Sequence, residues 1–262
     1  MQSRWLHKYD DDATVLKSKS FMDTTEEPVA VVTGASSGIG LGVTKALLER
    51  GWRVVGTSRT ISNSKDLTPS PGLVLVDGDV SKKETAIKVA DAAIKHFGRI
   101  DLLVNNAGIY MPKAFTAYTE EDYNLVMNTN VASFFYMTQH VIPQMKKQSA
   151  GHVVSIAGAS VDQPSSGATE LLAVLSKSTM PAASKALAME YAKNNIRFNT
   201  VSPGVVNTPM HAKRNLTELA KLHPLGRIGE VSDIVDAVLY LQNAKFVTGE
   251  NIRVDGGIHA GR

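Results

Sequence analysis

Short runs of aliphatic and β-branched residues recur along this chain with helix-length stretches between them, and that alternation restricts the fold more than any other property. The runs are VAVV (29–32), RVVG (53–56), LVLV (73–76), DLLVN (101–105), HVVSI (152–156), IRFNTV (196–201) and NIRV (251–254). Each is too short for a helix and reads as a buried strand. Between them, GIGLGVTKALLERG, KKETAIKVADAAIKHFG and VSDIVDAVLYLQN have the apolar spacing of amphipathic helices. Strands alternating with helices give a parallel sheet covered on both faces. We therefore expect an α/β fold, a doubly wound parallel sheet of seven strands in the order 3-2-1-4-5-6-7, with a ligand crevice at the carboxyl ends of the strands. No repeat or second boundary is visible after residue 28, so 28–262 are read as one domain. Residues 1–27 mix both charge signs, contain no apolar run of signal-peptide length and stop at a proline. They are expected to form a flexible extension.

Composition removes several classes of function. The net charge of +3 has no dense basic run behind it, which argues against a nucleic-acid surface. There is no cysteine, so disulfides, thiolate metal sites and a cysteine nucleophile are excluded, and a reducing, cytoplasmic setting is expected. No apolar run reaches the ~18–20 residues that span a bilayer, and no membrane partner is expected. The histidines lack metal-ligand spacing, so no metal is expected.

The first strand runs straight into TGASSGIG (33–40), which opens the first helix. Gly34 permits the tight turn, Gly38 lets the backbone approach a pyrophosphate, and Gly40 lets helix and strand pack closely. The helix N-terminus then offers free N–H groups and the positive end of its dipole to an anion. In folds selective for NAD an acidic residue ~20 positions on binds the ribose hydroxyls. Counting from Gly38 reaches Ser58, with Arg59 beside it. A hydroxyl and a guanidinium suit a 2′-phosphate, so NADP(H) is expected in preference to NAD(H). The alternative for Arg59 is a solvated strand end.

Several separately spaced motifs, in one order from about Pro28 to Gly257, resemble the short-chain dehydrogenases/reductases. They are TGASSGIG, NNAG (105–108), MNTNVASFF with Asn130, SPGVVNTPM (202–210) and VTGENIRVDGG (247–257). The resemblance implies cofactor contacts from Ser36, Ser37 and Ile39 in the first turn. It implies others from Asn106, Ala107 and Gly108, from Ile156, and from Pro203, Gly204, Val206 and Thr208. Asp79 and Val80 match the pair that touches adenine, although Asp79 also suits the cap region of the next helix. The family further implies a homotetramer or homodimer, with helices 130–147 and 171–194 as the interface pair.

One stretch departs from the family. Its members present a tyrosine and, four residues later, a lysine on one helix, with a serine on the preceding strand. The lysine stands thirteen residues before the glutamate of an LA-x-E helix end; here that glutamate is Glu190, which assigns Lys177. Four residues earlier stands Ala173, within LLAVLSK. No tyrosine in the chain has a lysine four residues on, and the other lysine of this helix, Lys185, has Pro181 at that spacing. The serine position falls on Gly158, with Ser160 two residues further, and the loop to Ala173 is two residues longer than in the family. Of the four catalytic positions, Asn130 and Lys177 remain.

Hydride addition to a ketone generates an alkoxide, and a positioned acid contributes about 10²–10⁴-fold to such a step. Three routes stay open: a substrate such as an iminium that needs no proton at that moment, a different acid that reaches the carbonyl, or a non-redox use of the pocket. Replacement groups are Tyr110 and His211 as pocket residues, Asp162 on the rebuilt loop, Ser160 for the missing hydroxyl, and water held near Asn130 and Lys177. The expected function is an NADP(H)-dependent oxidoreductase with an altered proton-donor site, acting on a small organic carbonyl, imine, iminium or conjugated substrate. The alternative is a cofactor-scaffolded cyclase or isomerase, or a ligand-binding regulator.

Overall fold

The computed structural model describes residues 27–162 and 169–260; residues 1–26 of the expected extension lie outside that range. Seven strands form one sheet: β1 (Val29–Thr33), β2 (Arg53–Ser58), β3 (Leu73–Asp77), β4 (Leu102–Asn105), β5 (Gly151–Ile156), β6 (Ile196–Pro203) and β7 (Asn251–Val254). Their order is β3-β2-β1-β4-β5-β6-β7, with every pair parallel. This is the expected topology.

Side-chain alternation along the strands divides the core into two layers. Ala30 and Val32 of β1 pack with Val43 and Leu47 of α1 (Gly38–Leu48) and Ile234 and Val238 of α7 (Val231–Asn243). Val29 and Val31 point to the opposite face, against Val89 of α2 (Lys83–Phe97) and Met137, Val141 and Met145 of α4 (Ser133–Gln148). All four β1 residues are fully buried. The three valines each contribute roughly 1.5–3 kcal/mol by leaving water. A polar residue at any of them would disrupt the layer it faces.

Local signals set the helix ends. α2 stops at Gly98, whose φ of 76° is the left-handed C-cap conformation, and whose N–H bonds Ile94 O. α3 (Glu120–Met127) begins with a capping box in which Thr119 and Asp122 exchange side-chain and backbone bonds. The helix expected over 130–147 starts differently. Asn128–Ala132 forms a π-helical turn between α3 and α4. The helix expected over 171–194 is α5 (Leu171–Tyr191), finished by a 3₁₀ turn at Ala192–Asn194.

The chain leaves β1 towards the β3 edge and returns to β4 on the other side of β1. That reversal opens a crevice at the carboxyl ends of β1 and β4. Among the described residues, no helix is long and apolar enough to cross a membrane.

Candidate active site

The crevice begins where β1 ends. Thr33 Oγ1 accepts hydrogen bonds from the N–H groups of Asn106 (3.0 Å) and Ala107 (2.9 Å), and Thr33 O accepts from Asn106 Nδ2 (2.9 Å). The end of β4 is thereby tied to the glycine turn. Gly34 and Gly38 have φ of +65° and +53°, the left-handed region that favours glycine. A Cβ on Gly40 would stand 2.3 Å from Gly34 O, so the turn closes only without a side chain. At the start of α1, Ser37 makes no side-chain cap and the first turn holds no acidic residue. Its amides and dipole therefore remain available to an anion. These features fit a dinucleotide pyrophosphate.

A cleft of about 990 Å³ extends from this turn. Every cofactor residue expected from the sequence lines it except Gly40, whose place is the turn packing. Ser58, Arg59, Asp79 and Val80 form one end, with Thr60 and Lys82 beside them. Asn106, Ala107 and Gly108 form the middle, and Ile156, Pro203, Gly204, Val206 and Thr208 the far side.

Lys177 lies at the floor. Its Nζ donates to Ile156 O at 2.9 Å, and it would meet a Cβ built on Gly108 at 2.8 Å. Burial lowers its pKa from the usual lysine range to about 8. One helical turn earlier on α5, Ala173 is buried and also lines the cleft. Gly158 and Ser160 line it too. Gly158 has an extended φ of −177°, and a Cβ placed on it would meet no atom within 4 Å.

Two expected residues have other settings. Asn130 is not among the cleft-lining residues. Its Oδ1 accepts from Ile109 N (2.8 Å), while Nδ2 donates to Ile109 O (3.0 Å) and Ser176 Oγ (2.8 Å). It fixes the 108–110 backbone against α5, which is a positioning role. Asp162, expected in the substrate pocket, is also absent from the lining. Its carboxylate instead pairs with Arg253 Nε at 2.7 Å and accepts from Asn251 Nδ2 at 3.3 Å on β7. The arginine draws it to the sheet edge, a correction that loop position alone did not reveal.

Tyr110 and His211 line the cleft as expected, with ring centroids 6.4 Å apart. Burial, then Glu170, pushes the Tyr110 phenol above its ordinary pKa. Burial, then the charge of Arg214, pushes the His211 imidazole below its own. Glu170 and Arg214 also line this end and were not expected from the sequence. Glu170 precedes Ala173 by three residues, the spacing that shares a helix face, so a signal for it existed. Arg214 sits in a turn and has no such signal.

The crossover crevice, the glycine turn and the half-buried lysine form a site that fits a dinucleotide. Comparison with known proteins agrees: residues 34–259 match the family described as enoyl-(acyl carrier protein) reductase. The 3-oxoacyl-[acyl-carrier-protein] reductase of Thermotoga maritima is 34% identical over 246 residues, covering 89% of this chain and 98% of that protein. The enzyme of the same name from Vibrio cholerae is 31% identical over 245 residues, with 89% and 98% covered. A crystal structure of the Brucella melitensis 3-ketoacyl-(acyl-carrier-protein) reductase complexed with NADH superposes with a TM-score of 0.84 at 28% identity, covering 90% of this chain and all of that one. ElxO with NADP bound gives 0.81 at 25%, with 90% and 100% covered. The chain belongs to the short-chain dehydrogenase/reductase family and is an NAD(P)-dependent oxidoreductase of that type.

Proposed function

We propose that this chain is an NADP(H)-dependent reductase of small organic substrates in which Ala173 and Gly158 stand where relatives carry their tyrosine and serine. The observation that carries this reading is the buried Ala173 methyl in the cleft wall, one turn before Lys177. When bound, the nicotinamide supplies the hydride. Lys177 offers its ammonium to the ribose, the glycine turn offers its amides to the pyrophosphate, and Arg59 with Ser58 offers donors to a 2′-phosphate. Asn130 holds the backbone that faces the reacting centre. An alanine donates no proton, so substrates whose reduction produces an alkoxide lose the ~10²–10⁴-fold contribution of a positioned acid. Iminium or conjugated substrates escape that loss. We further read the protein as a homodimer or homotetramer.

The test is restoration. Ala173→Tyr with Gly158→Ser should introduce ketone reduction into a protein that otherwise reduces simple ketones poorly. Gly158 has the extended backbone and the space to take a serine. Wild-type turnover of plain ketones near the enzyme median of ~10 s⁻¹ would show that the missing acid does not matter. Cofactor binding without consumption by ketone, enone or imine would favour a non-redox role.

A further inference from the structure

The substrate end of the cleft has a charge pattern that the loss of an acid does not by itself require. Glu170 immediately precedes α5 and lines the cleft with Ala173, one helical turn away. Tyr110 OH donates to Glu170 Oε2 at 3.5 Å, so the phenol's proton is turned towards the carboxylate. The backbone of Ile109, next to Tyr110, is held by two Asn130 bonds. His211 Nδ1 is buried without a partner, and a ring held below its usual pKa by burial is neutral at pH 7. Ala173 completes this wall with a methyl.

A ketone reduced here would place growing negative charge beside a carboxylate, with no free acid facing it. A cation would meet the opposite situation. Four positive side chains line the cleft: Arg59 and Lys82 stand at the Ser58 end, Lys177 is at the floor and donates to Ile156 O, and Arg214, near enough to Tyr110 and His211 to act on both, is exposed, where water screens it. Leu125, Met210 and Leu219 supply apolar wall for a carbon skeleton.

We infer that this end of the cleft is built for an iminium cation on an apolar skeleton, with Glu170 as the group that binds its charge and Tyr110 as the residue that positions Glu170. The inference rests on the reductase reading above and narrows its substrate class. Hydride adds to the iminium carbon while the C=N π pair moves onto nitrogen, giving a neutral amine. The two electrons come from reduced nicotinamide, which is oxidised, and no proton moves in that step.

The test pairs N-methyl-dihydroisoquinolinium with tetralone, its neutral ketone counterpart. Wild type should reduce the iminium with kcat/KM at least about tenfold higher, the scale of one partly solvated charge contact. Glu170→Gln should lose about that factor on the iminium, with the Kd for NADPH unchanged. A calorimetric titration with N,N-dimethyl-tetrahydroisoquinolinium, a permanent cation that cannot be reduced, reads the same site without turnover. Its binding should weaken about tenfold in Glu170→Gln, recover in part in Glu170→Asp, and leave the binding of neutral tetralol unaltered. Equal reduction of both substrates, absent cation binding, or cation binding indifferent to Glu170→Gln would overturn the inference. Failure to bind NADPH would sink the reductase reading instead, while the cation titration would still decide this one.

Discussion

On the proposed NADP(H) reading, Arg59 selects the cofactor from its position just beyond the end of β2. The neighbouring strand does carry a carboxylate at this level, since Asp77 of β3 is in register with Ser58. That carboxylate accepts from Ser62 N at 2.9 Å and does not line the cleft, whereas Ser58 and Arg59 do. A 2′-phosphate there meets donors rather than a repelling charge. Arg59→Ala should weaken NADPH binding by about 1.5–3 kcal/mol, the worth of a hydrogen bond to a charged group. NADH, which lacks that phosphate, should bind as before. Fluorescence titration of both cofactors checks this, and equal losses would remove Arg59 from the phosphate site. At this scale residue type and spacing were enough to bring Gly34, Gly38, Arg59 and Lys177 to the wall of one cleft. The sequence was silent where a partner distant in sequence decides direction: nothing near Asp162 announces that Arg253 will draw it to β7.

Elements are locked together at the opposite end of the sheet by a polar cluster outside the cleft. Arg197 of β6 donates to Leu241 O (2.9 Å), Ala244 O (3.1 Å) and Val247 O (2.9 Å), satisfying carbonyls at and beyond the end of α7. His152 of β5 lies against it, with Nδ1 2.8 Å from Gln242 Oε1 and Nε2 3.0 Å from Asn199 Nδ2. Arg197 Nη2 also approaches Nδ1 at 3.0 Å, so donors face both ring nitrogens and the ring stays neutral; a second proton would oppose the Asn199 amide and the Arg197 charge. Burial, then the Arg197 charge, lowers the His152 pKa from 6.5 to about 3. The unfolded chain therefore binds this proton first. Stability is full above pH 6.5 and falls as pH drops towards 3, by about 2 kcal/mol at pH 5. His152→Gln should be less stable at pH 8 yet lose about 2 kcal/mol less between pH 8 and pH 5 in urea titrations. An unchanged slope would mean the ring is protonated in the fold. Periodicity placed the strands and α7, because burial on both faces and amphipathic spacing are local patterns. The π turn at Asn128–Ala132 was not legible, since it is fixed by the bonds of Asn130 to Ile109 and to Ser176 on α5, both remote in sequence.

For the whole molecule, alternation implied the doubly wound parallel sheet, while the order 3-2-1-4-5-6-7 came with the glycine turn and the family resemblance, since doubly wound sheets also occur in a 2-1-3-4-5 order. Assembly is a further step, and the expected interface is formed by the faces of α4 and α5 turned away from the sheet. Phe135 on α4 is 55% exposed, and Leu175 and Met189 on α5 are 46% and 82% exposed. Beside them, Ile142, Pro143 and Tyr191 line a shallow groove flanked by Lys146 and Lys147. A two-fold interface uses the same patch on both subunits, so each buried apolar side chain contributes twice and each substitution is felt twice. Light scattering at micromolar concentration should therefore report a dimer or tetramer. Phe135→Asp combined with Leu175→Asp would bring two charges per subunit into an apolar contact, and charges there are costly to bury. That double variant should shift the assembly towards smaller species while far-ultraviolet circular dichroism stays unchanged, because both side chains are solvent-facing in the single chain. A monomeric wild type would remove the assembly claim altogether. An undiminished oligomer in the double variant would move the interface off these helices, to the edge where Tyr240 and Phe246 are exposed by 56% and 104%.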